Sequence, residues 1–513
     1  MVYLDNKNCN NVLLITLHND KSLGIRCLAQ CLKSNGFEPT IVFFKSNIYS
    51  SQYSTDIELK FLLNVLKKKK YLFVGLSILS SYILSEICKV NEIIKKNINV
   101  PIVWGGIYPT LCPEECAKYC DILVRGEGEI AIVKLAETLQ KGGEWRNLPN
   151  ICYYDKNKNY HENMLTPLIQ DLDSISYSNI SNEEIYFIDS NKVVNCNPSL
   201  NTDFYEISCS RGCPFSCSYC SSSKLRDIYR GNGKYFRFRS VDSVIAELSE
   251  AVQKNPNIKE IRFWDEVFTT NKEWIEEFST KYKEKIGLRF VIWGHPLLIK
   301  KEELGMLVDA GLRRIIVGFQ SGSSHVRNKI FKRPETNEQI IKASKILSSY
   351  PLLEVYYDLI ICHVLESVSE IKETFDLCLQ LAAPFNLQIH GLSFLPKTDI
   401  VQTIIDKGLY TVQEMKDIFN SSSEENYRQW DGPRSDYYAD NPEKEVWADL
   451  IYLTQFAAIR NKVIKLSKNP DKNKKTIKNL KTKIESMNYE RQEMLKRPMT
   501  LVNKIIKIPD LIF

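Results

Sequence analysis

Three cysteines with a fixed spacing are the residues of this chain best suited to chemistry. Cys213, Cys217 and Cys220 form a C-x₃-C-x₂-C pattern, and the pattern follows a strand-like segment at Tyr205–Ser208. Three thiolates in one short loop can hold three irons of a [4Fe–4S] cubane and leave the fourth iron without a protein ligand. An open coordination position is what substrate-binding metal chemistry requires. The spacing therefore predicts a [4Fe–4S] cluster on these three residues.

A structural zinc site is the alternative for the same cysteines. Such sites take four protein ligands. Cys209 is the nearest candidate for the fourth, and no His lies between Cys209 and Phe290. Of the 15 cysteines in the chain, most of the others are expected to be small core residues, because free Cys is often buried. The cluster is the favoured interpretation.

The cysteine loop resembles the signature of the radical S-adenosylmethionine (SAM) superfamily, in which an aromatic residue commonly precedes the third cysteine. Tyr219 fills that place. The resemblance implies that the open iron chelates the amino and carboxylate groups of SAM. An electron from the reduced cluster then cleaves the sulfonium C–S bond, which yields methionine and a 5′-deoxyadenosyl radical. That radical abstracts hydrogen from unactivated carbon, while the protein orients and encloses the cofactor.

Other segments resemble the SAM contacts of the superfamily. Asp265 and Glu266 end a strand and match the acidic position that helps to hold the SAM amino group. Gln320 and Ser321 lie in a segment that resembles a G-I-E-S-G-S pattern, although Gln320 stands where Glu is usual. A neutral amide can hydrogen-bond, but it cannot pair with an ammonium group. The resemblance implies SAM contacts at these four residues and at Tyr219.

Several positions near strand ends match the superfamily more loosely. Lys332 and Arg333 resemble a basic pair that follows the previous segment. The usual G-x-P-x-E-T after the fifth strand is Cys-His-Val-Leu-Glu-Ser here, over residues 362–367. His295 and His390 also lie at predicted strand ends. Polar residues at the C-terminal ends of barrel strands are typical substrate or cofactor contacts, so both histidines are possible substrate contacts.

The first part of the chain resembles the cobalamin-binding domain that precedes the barrel in one large class of the superfamily. The matching segments are Gly75–Ser77, Gly105–Thr110 and Arg125–Glu129. Glycine at strand ends lets the backbone approach a ligand closely. The common D-x-H-x-x-G motif is absent around His18, which predicts cobalamin without a His ligand on cobalt (His-off). The expected cobalamin contacts are Leu76, Ser77, Gly105, Gly106, Gly126 and Glu127.

Alternating strand and helix patterns predict an α/β protein with parallel sheets. The sequence predicts a doubly wound, Rossmann-like domain of the cobalamin-binding type over 1–145 and a linker over 146–203. A partial (β/α)₆ radical SAM barrel follows over 204–400, and a helical C-terminal domain over 401–513. Chemistry is expected at the C-terminal ends of the barrel strands.

The composition excludes some classes of partner. The net charge is only +6 and apolar residues make up 44% of the 513 residues, so nucleic-acid binding is not predicted. No apolar stretch approaches the ~20 residues that span a bilayer, and the N-terminus lacks the apolar region of a signal peptide. These features predict a cytoplasmic protein without a membrane span, in a compartment where thiols stay reduced.

The sequence predicts a cobalamin-dependent radical SAM enzyme that methylates an unactivated carbon. One SAM would methylate cobalamin and a second would supply the radical. The expected partners are a small-molecule or peptide substrate and an external electron donor such as flavodoxin or ferredoxin. Two alternatives stay open: a cyclisation or rearrangement by the same class of enzyme, with or without bound cobalamin, and a non-catalytic Fe–S redox sensor.

Overall fold

The computed structural model describes residues 9–46, 53–175, 181, 183–268, 271–420 and 441–497. Two sheets, each built around parallel strands and covered by helices, account for most of this part of the chain, and helices follow the second sheet. The first sheet also has antiparallel strands at its edges. This arrangement confirms the predicted fold class.

Five parallel strands form the centre of the first sheet, and each is a short apolar run buried on both faces, as expected for parallel strands. They are β1 (Asn11–Leu17), β2 (Glu38–Phe44), β3 (Val74–Ser77), β4 (Ile102–Gly105) and β5 (Ile122–Val124). Their spatial order is 2-1-3-4-5. This is the flavodoxin-like order, in which ligands bind outside the carboxyl ends of the strands near the β1/β3 switch point.

The segment predicted to be a linker, 146–203, instead contains four strands of the first sheet. They are β6 (Ile151–Tyr154), β7 (Tyr160–Glu162), β8 (Ile185–Asp189) and β9 (Lys192–Val194). β6 and β7 extend the sheet beyond β5, and β8 and β9 extend it beyond β2. The linker prediction was wrong because these strands are short and separated by polar turns, so no hydrophobic period persists in the sequence.

Helices connect the strands of the first domain. They are α1 (Leu23–Ser34), α2 (Asp56–Leu66), α3 (Leu84–Asn97), α4 (Ile107–Leu111), α5 (Pro113–Cys116) and α6 (Glu129–Gln140). Local sequence sets where they begin. α2, for example, starts with a capping box, in which Thr55 accepts the Glu58 N–H and the Glu58 side chain accepts the Thr55 N–H.

Six parallel strands form the second sheet in chain order, which confirms the partial barrel. They are β10 (Phe204–Ile207), β13 (Glu260–Phe263), β14 (Arg289–Gly294), β15 (Leu312–Gln320), β16 (Glu354–Ile360) and β17 (Asn386–His390). β10 and β17 lie at opposite edges and do not pair. A separate small ribbon, β11 (Ser210–Arg211) with β12 (Arg237–Phe238), flanks the cysteine loop.

Amphipathic helices cover the outside of the barrel. They are α7 (Ser221–Ile228), α8 (Val241–Lys254), α9 (Lys272–Lys285), α10 (Lys301–Ala310), α11 (Asn337–Ser348) and α12 (Val368–Gln380). Alternate strand residues pack against them, such as Tyr205 and Ile207 of β10 and Ile261 and Phe263 of β13. Because successive strand residues point to opposite faces, the residues between them face the barrel interior.

The chain beyond the barrel is helical, as the sequence predicted. The helices are α13 (Asp399–Asp406), α14 (Val412–Asn420), α15 (Pro442–Thr454), α16 (Arg460–Ser467), α17 (Pro470–Glu485) and α18 (Tyr489–Leu495). α15 joins the barrel core, where Trp447 packs edge-on against Phe375 at 5.4 Å. Among the described helices, none is both long and apolar enough to cross a membrane.

The aromatic centre of the barrel core generates a stability prediction. Phe263 is fully buried and contacts the rings of Phe268, Phe278 and Phe290. Phe263→Ala should lower the free energy of unfolding by ~3–5 kcal/mol, because a cavity replaces a packed ring. Leu352→Ala, at a side chain that is 70% exposed, should change it by ~0.5 kcal/mol or less. Urea unfolding followed by circular dichroism measures both, and equal effects would contradict the assigned core.

Candidate functional site

The three predicted cluster cysteines lie in a loop between β11 and α7 whose backbone is pinned to the barrel. Ser218, within the loop, donates its N–H to Phe331 O at 3.0 Å and its hydroxyl to Ile330 O at 2.6 Å. Its carbonyl accepts the N–H of Ile400, in α13, at 2.9 Å. The loop is thereby held between the segment that follows β15 and the first C-terminal helix, α13.

The start of α7 also holds the cysteine loop. Ser223 donates its hydroxyl to the carbonyls of Cys217 and Cys220 at 3.0 and 2.7 Å. Arg226 donates to the carbonyls of Pro214 and Phe215, both at 3.2 Å. These contacts hold the loop through its carbonyl groups and not through its thiols.

Asp265 holds the chain that leads into the loop. Its carboxylate accepts the N–H of Cys209 at 3.1 Å and the N–H of Ser210 at 2.6 Å, and the Ser208 hydroxyl lies 3.3 Å away. Burial raises the pKa of Asp265, and these donors oppose that shift. In the structure, the carboxylate oxygens of Asp265 accept backbone N–H groups just before the cysteine loop. Its contact with SAM stays a prediction.

The donor set of the loop fits an iron–sulfur cubane. In the described part of the chain, no three His, Cys, Asp or Glu side chains already surround a single metal position. A cubane does not require that, because each thiolate binds a different iron. Burial raises the pKa of Cys213 to about 11. Burial, followed by the charge of Glu266, raises the pKa of Cys220 to about 12. Cluster binding would therefore release protons from these thiols.

A cavity of about 490 Å³ lies between the carboxyl ends of the two sheets. This volume is within the range of small-molecule and cofactor sites, roughly 300–1,000 Å³. Its walls are mainly apolar and come from β1, β3, β4 and β5 on one side and from the cysteine-loop region on the other. All six predicted cobalamin contacts line it: Leu76, Ser77, Gly105, Gly106, Gly126 and Glu127. The apolar slot at the β1/β3 switch point fits a bound corrin. His18 is buried and is not among the residues that line it.

Two of these glycines are required by the fold itself. Gly106 has φ +113°, and a Cβ there would overlap the backbone of Ile78. Gly126 has φ +85°, and a Cβ there would overlap the hydroxyl of Tyr229, at the end of α7. The same hydroxyl accepts the N–H of Glu127 at 2.6 Å. The loop that follows β5 therefore contacts the barrel domain directly.

Glu127 joins the two domains. Arg237 donates to both of its oxygens, at 2.7 and 3.1 Å, and Arg211 donates to one at 3.3 Å. The N–H of Ile169 donates to the other oxygen at 3.0 Å. Such a two-pronged Arg–carboxylate pair fixes orientation as well as distance. Glu127 lines the cavity, but its carboxylate is occupied by the barrel side.

Glu266 connects the cavity to the cysteine loop. It lines the cavity, and its charge contributes to the raised pKa of Cys213 and Cys220. Its carboxylate accepts no hydrogen bond from a described residue, and burial followed by the charge of Asp265 raises its pKa. Beside it, Trp264 is 49% exposed and stacks on Trp293 at 4.4 Å. Glu266 is thus the predicted SAM contact that faces open space.

Gln320 ends β15 and Ser321 follows it, and the two side chains differ in whether they are available to a ligand. Gln320 has φ +65°, and its Oε1 is buried without a hydrogen-bond donor among the described residues. Such an orphaned acceptor is suited to a ligand donor. The Ser321 hydroxyl instead lies 3.4 Å from Glu366 and 3.3 Å from Thr374, and it accepts the N–H of Ser323 at 3.1 Å. Ser321 is therefore part of the buried network that supports the strand end.

Arg333 holds Tyr219, the fifth predicted SAM contact. Its guanidinium donates to the Tyr219 hydroxyl at 3.3 Å and to Cys217 Sγ at 3.7 Å. The Tyr219 ring packs edge-on against Phe331 at 5.0 Å. The aromatic residue before Cys220 is therefore fixed on both its ring and its hydroxyl.

The two predicted substrate histidines lie in different surroundings. His295 is 3% exposed, stacks on Phe215 at 3.7 Å and has its Nε2 3.3 Å from Glu335 Oε2. Burial is the main reason its pKa is lowered. His390 is half-exposed at the end of β17, with Nε2 3.8 Å from Asp358 Oδ1. Of the two, His390 is the one accessible at the mouth of the barrel.

Several functional side chains were not selected from the sequence. Arg211 and Arg237, which bind Glu127, lie far from it in the chain, and Tyr229 lies 102 residues beyond it. Glu335 had no distinguishing signal. Arg333 had one, its place in the basic pair that resembles the superfamily.

Two family models match this chain. Residues 207–378 match the model described as the Radical SAM superfamily. Residues 12–136 match the model described as the B12 binding domain. The first match contains the cysteine loop and the strand ends from β13 to β16, and the second contains β1 to β5. A radical SAM domain implies a [4Fe–4S] cluster and SAM, and a B12 binding domain implies cobalamin.

Curated relatives match about half of the chain. An uncharacterized methyltransferase, PH0819, of Pyrococcus horikoshii is 31% identical over 260 residues, which are 49% of this chain and 53% of that protein. The anaerobic magnesium-protoporphyrin IX monomethyl ester cyclase of Rubrivivax gelatinosus is 26% identical over 335 residues, 61% of this chain and 55% of that protein. The chain thus spans about half the length of the curated relatives it matches.

Solved structures share the fold. The radical SAM methyltransferase TsrM of Kitasatospora setae, solved with cobalamin and a [4Fe–4S] cluster, has a TM-score of 0.63 at 16% identity, over 78% of this chain and 75% of that one. The cobalamin-dependent SAM radical enzyme OxsB, with aqua-cobalamin, has a TM-score of 0.61 at 15% identity, over 95% of this chain and 70% of that one. At these identities the likeness concerns the fold alone.

The contact between Gly126 and Tyr229 generates a prediction about how the domains fit together. Gly126→Ala should push the strand end after β5 away from α7, because its Cβ has no space and its φ is unfavourable for Ala. We expect at least tenfold faster hydrogen exchange at Glu127 N–H, whose acceptor is the Tyr229 hydroxyl.

Gly128→Ala is the matched control. Its φ of −91° suits Ala, and its Cβ would meet only the flexible end of Leu28 at 3.1 Å. Wild-type exchange at Glu127 in both variants would contradict the proposed contact.

Proposed function

Because this chain joins a B12 binding domain to a domain of the radical SAM superfamily, we propose that it is a cobalamin-dependent radical SAM enzyme that methylates an unactivated carbon. The cluster would be held by Cys213, Cys217 and Cys220. The observation that carries the proposal is the cavity of about 490 Å³ between the two domains, which is lined by the predicted cobalamin contacts and by Glu266 near the cysteine loop.

The cofactors supply the reactive chemistry when they are bound: the cluster and SAM provide a radical, and cobalamin provides the methyl group. The chain's own residues position and enclose them. Asp265 fixes the backbone before the cysteines, and Ser218 fixes the loop between Cys217 and Cys220. Glu266 and Gln320 offer unoccupied acceptors to the SAM amino group. Because the cavity walls are mainly apolar, they limit the water that could quench a radical.

The remaining assignments belong to the same proposal. The domains are the cobalamin-binding type over 1–145, the barrel over 204–400 and the helical region over 401–513. The partners are a small-molecule or peptide substrate, which His390 could contact, and an external electron donor such as flavodoxin or ferredoxin. The reduced thiols that the cluster requires suit a cytoplasmic location.

Cyclisation is the second candidate function. It is favoured by the names of three curated relatives, the anaerobic magnesium-protoporphyrin IX monomethyl ester cyclases. They match 61%, 52% and 52% of this chain, against 49% for the methyltransferase of Pyrococcus. Cyclisation would use the same radical but no methyl transfer, so the fate of SAM distinguishes the two.

Iron content and SAM cleavage test the cluster. Anaerobically reconstituted protein should bind about four irons per chain and form 5′-deoxyadenosine from SAM under dithionite. Replacing Cys213, Cys217 and Cys220 together by Ala should lower the yield at least ~100-fold, because the radical requires the cluster. Cys209→Ala is the control and should keep its iron. Loss of metal in Cys209→Ala would favour zinc, and SAM cleavage by the triple variant would overturn the proposal.

Product analysis tests methylation. Protein loaded with hydroxocobalamin and given SAM and dithionite, without substrate, should form up to about one S-adenosylhomocysteine per bound corrin, together with 5′-deoxyadenosine. Methyl transfer from SAM produces S-adenosylhomocysteine, whereas reductive cleavage does not. Failure to retain any corrin contradicts methylation, and 5′-deoxyadenosine without S-adenosylhomocysteine supports cyclisation instead.

A further inference from the structure

A row of buried side chains connects two points of the cysteine loop through the barrel. Arg333 Nη1 lies 3.7 Å from Cys217 Sγ, and Arg333 Nε donates to Glu335 Oε1 at 2.7 Å. The second oxygen of Glu335 lies 3.3 Å from His295 Nε2. The His295 ring stacks on Phe215, with ring centroids 3.7 Å apart. The row begins and ends in the loop that carries the cysteines.

We propose that Glu335 and His295 are positioning residues, which hold the Arg333 guanidinium against Cys217 and thereby raise the reduction potential of the cluster on this loop. The inference rests on the proposed function for the cluster itself. It adds a role for three residues outside the cysteine motif, and this role concerns the ease of electron transfer to the cluster.

Because these side chains are buried, each one depends on its neighbour in the row for a charged or polar partner. The side chains of Arg333, Glu335 and His295 are 6%, 0% and 3% exposed. A buried charge is costly unless it is paired and hydrogen-bonded, and removing one partner leaves the other uncompensated. Burial alone would raise the pKa of Glu335, but the close approach of His295 and the charge of Arg333 outweigh it and hold the pKa at about 2. Glu335 is therefore a fixed anion.

The guanidinium has several simultaneous partners, which fixes its orientation. Besides Glu335 and Cys217, Arg333 donates to Gly318 O, at the end of β15, and to the Tyr219 hydroxyl. Its planar fork suits such divergent contacts, which the single ammonium of Lys could not make together. Glu335 is anchored in turn through its own carbonyl, which accepts Arg327 Nε at 2.7 Å. The contact with Cys217 is thus imposed by the surrounding barrel.

The position of Arg333 determines the direction of its effect. Reduction adds a negative charge to the cluster, and a cationic donor beside a ligand sulfur stabilises that charge, so the potential rises. The carboxylate of Glu335 acts in the opposite direction through its own charge. Removing that charge should raise the potential if Glu335 is only a nearby anion, and lower it if Glu335 holds Arg333 in place. The sign of the change separates positioning from simple proximity.

The test is a potentiometric titration of the reconstituted holoprotein without SAM, with dithionite as reductant and EPR of the reduced cluster as the signal. Glu335→Gln should make the equilibrium constant for one-electron reduction about tenfold smaller, a potential ~59 mV lower. Glu338→Gln is the control, because it removes the same charge from an exposed position three residues away. A Glu335→Gln potential equal to or above that of the control would overturn the inference.

Arg333→Lys is the second test, for the case in which Glu335→Gln retains no cluster. It keeps the charge and loses the fork, so a lower potential than the wild type supports positioning, and a wild-type potential overturns it. Failure of the cluster assignment is distinguishable, since wild-type protein would then show no EPR signal of a reduced cluster. If the wild-type protein gives a normal signal and the variants have the wild-type reduction potential, only the proposed role of Glu335 and His295 is rejected.

Discussion

The ion pair between Glu127 and the two arginines of the barrel domain fixes the relation on which the cavity depends. Glu127 follows β5, whereas Arg211 and Arg237 belong to the small ribbon beside the cysteine loop. Arg237 and Glu127 are largely buried, at 5% and 16% side-chain exposure. A buried pair of this kind adds little net stability, because desolvation offsets the attraction. Its geometry nevertheless brings the carboxyl ends of both sheets to face one cavity.

The parts of the site that could be predicted from the sequence are those encoded by short, contiguous patterns. The spacing of Cys213, Cys217 and Cys220 is local, and so is the position of glycines directly after apolar strands. Because parallel strands end at one edge of a sheet, residues such as Ser77 and Gly105 were expected at the same site, and both line the cavity. The order of βα units likewise determined the five central strands of the first sheet and the six strands of the second.

The rest depends on contacts between distant residues, which leave no local pattern. Asp265 and Glu266 are adjacent and equally acidic in sequence, yet one binds the backbone of Cys209 and the other faces the cavity. Both residues lie beyond β13, which ends at Phe263, so the path of the chain after the strand, which no local pattern encodes, separates them. Cys362 has φ +62°, at the position where glycine is usual in the superfamily pattern. A positive φ favours glycine, so Cys362 adopts a backbone conformation that its residue type does not signal.

The N-terminal end of the barrel contributes to stability, and the C-terminal end carries the candidate site. At the N-terminal end, ion pairs connect neighbouring strands, with Arg289 bound to Glu260 at 3.2 Å and Arg314 bound to Glu354 at 2.8 Å. Both are cross-strand partners in register, so they stabilise the pairing of β13 with β14 and of β15 with β16. At the C-terminal end, Gln320 leaves an acceptor without a donor from the described residues. Unsatisfied groups cost stability, and at the end of β15 a bound ligand could satisfy this one.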